Sequence, residues 1–425
     1  VPGPPTRPGL REALAAFRYR NYTLFWVGAL LSNSGSWIQN VTVPYVVFHL
    51  TGSAFWVGFA GFVQFLPVVV VGPIGGSIAD RFHRRSVLLV TQSAQAAAAA
   101  VLAAVWAAGV RQVWVIVGLV ALNGLIGGIN IPSWQAFVSE LVPREALLNA
   151  VTLNSTQFNA ARAFGPALGG LVLGTAGPGW AFLANAASFL AVIGALLAID
   201  VPRPGRERVG GAGVRREFAR TLRYVRGCPG ILACLVIVSA LGALGSPVFQ
   251  LLVVFADDVF GVGGVAYGLL AASLGVGSVL AAPLVAGPGS GIARSVLVTA
   301  AVVVYGTAIT AFALAPVYLL GLLALLVAGG GYLALASTLN TTIQVQVDED
   351  MRGKVLALYI MLLTASLPVG ALVQGSLAHL VGPRLTVAAA GIAFLLICGW
   401  LRAGTGWVAR MDDEAAASPQ AGRDS

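Results

Sequence analysis

The segment Gly76–Arg85, GSIADRFHRR, sets one carboxylate, Asp80, among three guanidinium groups, Arg81, Arg84 and Arg85. A carboxylate at a turn between two apolar runs can accept from helix N-terminal amides or from an arginine on a neighbouring helix. Such contacts form and break without covalent change, so the chemistry they suit is that of a conformational latch, with Gly76 expected to permit close helix approach. A second stretch, ARAFGPALGG from Ala161 to Gly170, spaces Gly165, Gly169 and Gly170 around Pro166. Glycines at this spacing let a partner helix pack closely, and the proline bends the helix that carries them.

Arg162, inside the same stretch, is the one charge placed deep in an apolar run. Intramembrane charges are costly and face a cavity or a partner. The expectation is that Arg162 faces a cavity and anchors a polar or anionic group, or else is held by amides and carbonyls. Around it, Asn33, Trp37 and Asn40 recur on one helical face, and Ser155, Asn159 and Arg162 repeat that spacing. Gln64, Asn130, Trp134, Gln250, Asn340 and Tyr359 are further polar or aromatic candidates. As a set they suit an amphipathic organic molecule in an apolar cavity. Taken singly, each equally suits a hydrogen bond between helices.

All 16 acids fall at helix ends or in loops. Candidate proton carriers are therefore peripheral: Asp80, Glu140, Asp257 and Asp258. Three cysteines and three histidines are scattered, and no HExxH, Walker A or nucleophile–base pattern occurs. No metal site, no cofactor and no enzyme activity is expected, and a chain that moves a solute would do so without hydrolysing ATP itself.

The elements that position these residues follow from composition. Of 425 residues, 58% are hydrophobic and 10% charged, with a mean hydropathy of +0.87. Soluble domains carry about 25% charged residues, so the solvent here is mostly lipid. Apolar runs predict twelve spans, near 21–49, 55–79, 86–108, 112–140, 147–174, 179–199, 229–256, 263–287, 295–314, 316–346, 354–380 and 384–402. Of the 25 basic residues, 22 fall on one face, Arg111 and Arg384 on the other, and Arg162 within a span. That asymmetry assigns the first face, with both termini, to the cytoplasm. Arginines in short clusters between apolar runs also argue against nucleic acid as a partner. The polar, proline-rich start does not resemble a signal peptide.

The organisation expected is a cytoplasmic segment over 1–20, a six-helix bundle over 21–199, an Arg-rich linker over 200–228, a second six-helix bundle over 229–402 and a disordered cytoplasmic tail over 403–425. Within the linker, residues 214–226 predict an amphipathic helix on the membrane surface. An internal repeat supports the division. RSVL at 85–88 returns at 294–297, and Gly165 and Gly170 align with Gly370 and Gly375.

The 76–85 loop resembles the major facilitator superfamily signature G-x-L-A-D-R-x-G-R-R/K, with His83 in place of its second glycine. The 161–170 stretch is similar to the G-P-x-x-G-G signature of exporters in that superfamily. FRYRNYTLFWVGALLSNSGSWIQ, LVPREALLNAVTLNS and YGLLAASLGVGSVLAAPL extend the resemblance across both halves, toward the branch of enterobactin exporters and Tap-like drug efflux pumps. The resemblance implies an all-α membrane protein of two pseudo-symmetric six-helix bundles, with a cavity lined by spans 1, 2, 4, 5, 7, 8, 10 and 11. It implies secondary active export of a drug, siderophore or secondary metabolite by alternating access, coupled to protons, from a monomer in a bacterial inner membrane. An importer or facilitator on the same fold, or a non-transporting membrane sensor or assembly partner, are the alternatives.

Overall fold

A computed structural model describes residues 14–200, 214–286 and 292–412. Among these residues every regular element is a helix. The long helices are α1 Arg20–Thr51, α2 Ala54–Arg81, α3 Arg84–Ala107, α4 Val113–Val138, α5 Leu147–Thr175 and α6 Pro178–Ala198. A shorter α7, Val214–Arg226, precedes α8 Pro229–Val259, α9 Gly264–Ala286, α10 Arg294–Leu314, α11 Tyr318–Gln346, α12 Glu349–Val381 and α13 Pro383–Ala403.

Ten of these helices are long and apolar enough to cross a membrane. The other two long ones, α1 with 32 residues and α5 with 29, are dense in amides and hydroxyls. The side chains that lower their hydropathy are largely the candidates singled out above. With α1 and α5 included, the expected count of twelve fits. The eleventh span starts earlier than expected, at Glu349, so Lys354 lies in the helix and not in a loop. Glu349 and Asp350 in its first turn complement the positive end of the helix dipole.

Turn chemistry sets the helix boundaries, and it repeats. Gly52 (φ 60°) follows α1 and Gly261 (φ 62°) follows α8. Gly177 (φ 85°) with Pro178 starts α6, and Gly382 (φ 91°) with Pro383 starts α13. A left-handed residue stops one helix, and proline at the first position starts the next, where its missing N–H costs nothing.

Packing divides the described residues into two compact units. Unit 1 takes 14–52, 63–200 and 262–275; unit 2 takes 53–62, 214–261, 276–286 and 292–412. The first turns of α2 thus belong to unit 2, and the first half of α9 to unit 1. Unit 1 has its apolar core where Tyr22, Phe25, Leu88, Phe137, Val192 and Leu196 meet, all fully buried. In unit 2, Phe255 packs on Phe312 (4.5 Å between ring centroids) and Tyr305 packs edge-on to Phe394 (5.7 Å). Large apolar side chains cover the outside, among them Leu148, Leu190 and Leu380. That surface would drive aggregation in water and is ordinary against acyl chains.

Residues 404–412, expected to begin a disordered tail, instead dock onto unit 2. A turn of 3-10 helix, Ala409–Met411, presents Asp412 to the N-terminus of α10, where its carboxylate accepts from the Ser295 N–H (3.0 Å) and hydroxyl. Arg402 adds a bond to Thr299 Oγ1 (2.7 Å). Hydrogen bonds to a helix end order what composition alone reads as unstructured. The tail from residue 413, the N-terminal segment to residue 13 and the linker over 201–213 lie outside the described residues.

Candidate functional site

The 76–85 loop joins α2 to α3. Its close approach comes from Gly75, not Gly76. A Cβ on Gly75 would collide with the backbone of Gly128 and Ile129 on α4, while one on Gly76 meets nothing within 4 Å. Gly76 is one residue further round the helix and turns away from α4. His83 has φ −64°, ψ 116°, a conformation open to any residue, so its substitution for glycine leaves the turn unstrained. Arg84 Nη1 donates to Glu140 Oε1 (2.9 Å) and to the Ala136 carbonyl (3.1 Å) at the end of α4. Arg85 donates to the Leu196 and Leu197 carbonyls (2.6 and 3.1 Å) in the last turn of α6. Both guanidinium groups therefore tie helix C-termini together inside unit 1, where the dipole and orphan carbonyls favour a cation. Asp80 and Arg81 are exposed, and Asp80 makes no hydrogen bond or ion pair with any described residue.

Helix α5 carries the glycine and proline stretch. Pro166 and the three glycines are buried. A Cβ on Gly165 would strike Trp37 on α1, and one on Gly169 would come within 3.2 Å of Ile38 Cα. Gly170 lies against Gly268 of α9, where a Cβ would stand 2.5 Å from the Gly268 Cα. Two further glycines of α9 continue the seam, Gly264 beside Leu173 and Gly174, and Gly275 against Ala163 and the Arg162 carbonyl. Tyr267, fully buried, donates to the Val41 carbonyl (3.0 Å). Sequence reasoning left Gly264, Gly268 and Gly275 without a role, although the last two sit in the string YGLLAASLGVGSVLAAPL.

The amide candidates of unit 1 are engaged between helices. Asn33 donates to Gln157 Oε1 (3.2 Å), joining α1 to α5; Gln64 donates to Asn40 Oδ1 (2.8 Å), joining α2 to α1. Asn130 accepts from Thr91 (2.8 Å) and Gln92 (3.1 Å) on α3. Trp134 is packed on Phe25 (4.6 Å) at the edge of the apolar core. Trp37 lies edge-on to Phe158 (6.3 Å). On α5, Ser155 is exposed, Asn159 donates to the Ser155 carbonyl (2.9 Å), and Arg162 is half-buried. The sequence did not single out the buried pair Asn185–Gln39 (2.7 Å), which ties α6 to α1.

In unit 2, Gln250 is buried beside Gly61, Tyr359 donates to the Ala336 carbonyl (3.2 Å), and Asn340 accepts from Gln344 on its own helix. The element that sequence reasoning missed is a π-helical stretch, Leu241–Gly245, within α8. Such a stretch displaces backbone carbonyls from the regular ladder. Buried Gln374 of α12 satisfies two carbonyls there, Ala243 (3.0 Å) and Leu244 (2.9 Å). Gly370 packs against Ala243, and Gly375 against Gly58. A second π-helical stretch, Phe255–Val259, carries Asp257 and Asp258, both exposed.

Polar side chains thus line lipid-spanning helices in both units, with the same turns and glycine contacts recurring in each. Fold and site together define a major facilitator transporter. The chain belongs to the transmembrane secretion effector family, whose sequence profile matches residues 11–419. This is a family of transporters and not of enzymes.

The chain is 27% identical over 390 residues to the multidrug efflux pump Tap of Mycolicibacterium fortuitum, covering 88% of this chain and 93% of that protein. It is 24% identical over 363 residues to the enterobactin exporter EntS of Escherichia coli, covering 85% and 86%. A shorter stretch, 174 residues, is 26% identical to the uncharacterized MFS-type transporter YfiS of Bacillus subtilis, covering 41% of this chain and 40% of that protein. Among solved structures, a bacterial homologue of the human lysosomal transporter Spinster superposes with a TM-score of 0.74 at 13% identity, over 94% of this chain and 99% of that one. That likeness is one of fold.

Proposed function

We propose that this protein exports an amphipathic small organic molecule, a drug, siderophore or secondary metabolite, by alternating access. The observation that carries the reading is the stretch Gly165–Gly170, whose glycines bring α5 into backbone contact with α1 and α9. The names of Tap and EntS support the direction and the substrate class. Arg162 is the proposed anchor for a polar or anionic group of the substrate, with Trp37, Asn33, Asn40 and Asn159 as its neighbours in role. Asp80 is the proposed latch, since it is exposed while Arg84 and Arg85 are engaged. Proton coupling would fall to Asp80, Glu140, Asp257 or Asp258. The arginine asymmetry supports an inner-membrane location with both termini cytoplasmic.

The test is transport by the purified chain in oriented proteoliposomes, screened with fluorescent drugs and catecholate siderophores under an imposed proton gradient. Accumulation in the export orientation that collapses with the gradient supports the reading. Flux that equilibrates without regard to the gradient identifies a facilitator instead. Absence of flux for every amphipathic probe, from folded protein, overturns it.

A further inference from the structure

Helix α7 has two faces of opposite character. On one, Thr221 and Val225 are buried, and Glu217 pairs with Lys354 of α12 (3.2 Å). Tyr224 completes this face: its hydroxyl donates to the Asp348 carboxylate (3.1 Å) and accepts from the Asp348 N–H (3.2 Å). Donation to the carboxylate requires the protonated hydroxyl, and burial pushes the Tyr224 pKa up to about 12. Positions 217, 221, 224 and 225 are one helical stripe, so α7 is clamped to the start of α12.

The opposite stripe holds Arg220, Arg223 and Arg226, all exposed. None of them bonds to any described residue. The one acid of the helix, Glu217, is already paired with Lys354. Phe218, about half exposed, stands at the edge of the docked face, seven residues before Val225. Arg226 lies three residues before Pro229, where the lipid-spanning α8 begins. A docked helix at that depth, with its cations turned away from the protein, has the layout of an interfacial helix.

We propose that α7 binds anionic phospholipid headgroups of the leaflet on its own side of the membrane, through Arg220, Arg223 and Arg226. The clamp to Asp348 and Lys354 ties that binding to the first turns of α12, the helix that carries Gln374 and Gly375. Lipid charge therefore reports to a spanning helix through two polar contacts. The inference is independent of what the protein transports.

The experiment is amide hydrogen exchange on the full chain in nanodiscs of phosphatidylcholine alone, or with roughly a third phosphatidylglycerol. Each basic residue near an anionic surface contributes about fivefold to binding. Exchange across residues 217–226 is expected to slow at least tenfold when phosphatidylglycerol is present. The triple variant R220Q/R223Q/R226Q should lose that difference, and R220K/R223K/R226K should keep most of it. Should the triple glutamine variant not be recovered folded, the three single glutamine variants are read in the same way. No slowing in the wild type, or an unchanged lipid difference in the glutamine variants, overturns the proposal.

Discussion

Alanine at Gly170 is expected to be costly out of proportion to its size. The added Cβ would stand 2.5 Å from Gly268 Cα, 2.8 Å from the Gly264 carbonyl oxygen and 2.9 Å from Gly268 N. Carbon atoms in contact sit at about 3.5–4.0 Å, so α5 and α9 must part by about 1 Å. All three obstructing atoms are backbone, and no side chain can swing away. Overpacking of this kind costs roughly 1–3 kcal/mol. Helix association in lipid draws on dispersion at close approach, so separation also weakens the contacts of Gly264 and Gly275 further along. A loss of about 2 kcal/mol corresponds to roughly a thirtyfold shift in a two-state population. Two controls calibrate it. Gly169→Ala meets Ile38 Cα at 3.2 Å and needs a few tenths of an ångström, so its cost should be under about 1 kcal/mol. Gly76→Ala meets nothing within 4 Å and should be neutral or slightly stabilising. Thermal unfolding in detergent, followed by tryptophan fluorescence, should rank Gly170→Ala lowest, then Gly169→Ala, with Gly76→Ala at or above wild type. If Gly170→Ala melts with wild type, the backbone contact is not what holds this seam.

Asp80→Asn should leave thermal stability unchanged, because Asp80 has no bond among the described residues to lose, yet cut transport severely; wild-type flux in oriented proteoliposomes would remove the latch. Glu140→Gln weakens the charged bond from Arg84, with an expected loss of roughly 1–3 kcal/mol in unfolding experiments; unchanged stability together with loss of proton-driven flux would make Glu140 a proton carrier instead. Arg162→Ala should abolish transport at normal protein level, and Arg162→Lys, which keeps charge without the planar fork, should only weaken it. A fall in the amount of folded protein, with flux per molecule retained, would make Arg162 structural.

Much of this architecture is legible because lipid simplifies the rules. A helix that crosses a bilayer must satisfy its own backbone and bury apolar length, so the spans stand out as runs. Their ends stand out as glycine and Gly-Pro turns. The division of α2 and α9 between the two units is not legible. Each is one continuous helix, and nothing in its composition marks residue 62 or 275. Partner choice among amides is hidden for a related reason. Asn130 pairs with Thr91 and Gln92, nearly forty positions away, and an asparagine reads the same in sequence whether it bonds a neighbouring helix or a ligand. The error at Gly76 is a matter of phase: one residue is 100° of helix, enough to exchange a packed glycine for an open one. The π-helical stretch in α8 left no signal at all, since it depends on Gln374 more than a hundred residues later.

The repeat makes one further demand. Gly170 aligns with Gly375, and the partner of each is a glycine near the start of the split helix beside it, Gly268 in unit 1 and Gly58 in unit 2. A Cβ on Gly375 would stand 2.6 Å from Gly58 Cα, 2.9 Å from the Ala54 carbonyl oxygen and 3.0 Å from Gly58 N. The same three atom types obstruct Gly170 at 2.5, 2.8 and 2.9 Å. Contacts so alike should cost alike, so Gly375→Ala and Gly170→Ala should destabilise to within about 0.5 kcal/mol of each other. The two glycines share no contact atoms, and substitutions at independent sites add within about 0.5 kcal/mol. The double variant should therefore lose about twice the single loss. A large inequality between the singles would mean that neighbours outside the glycines set the strength of each seam. A double loss well short of the sum would mean that opening one seam already releases the other, which makes them parts of one conformational change.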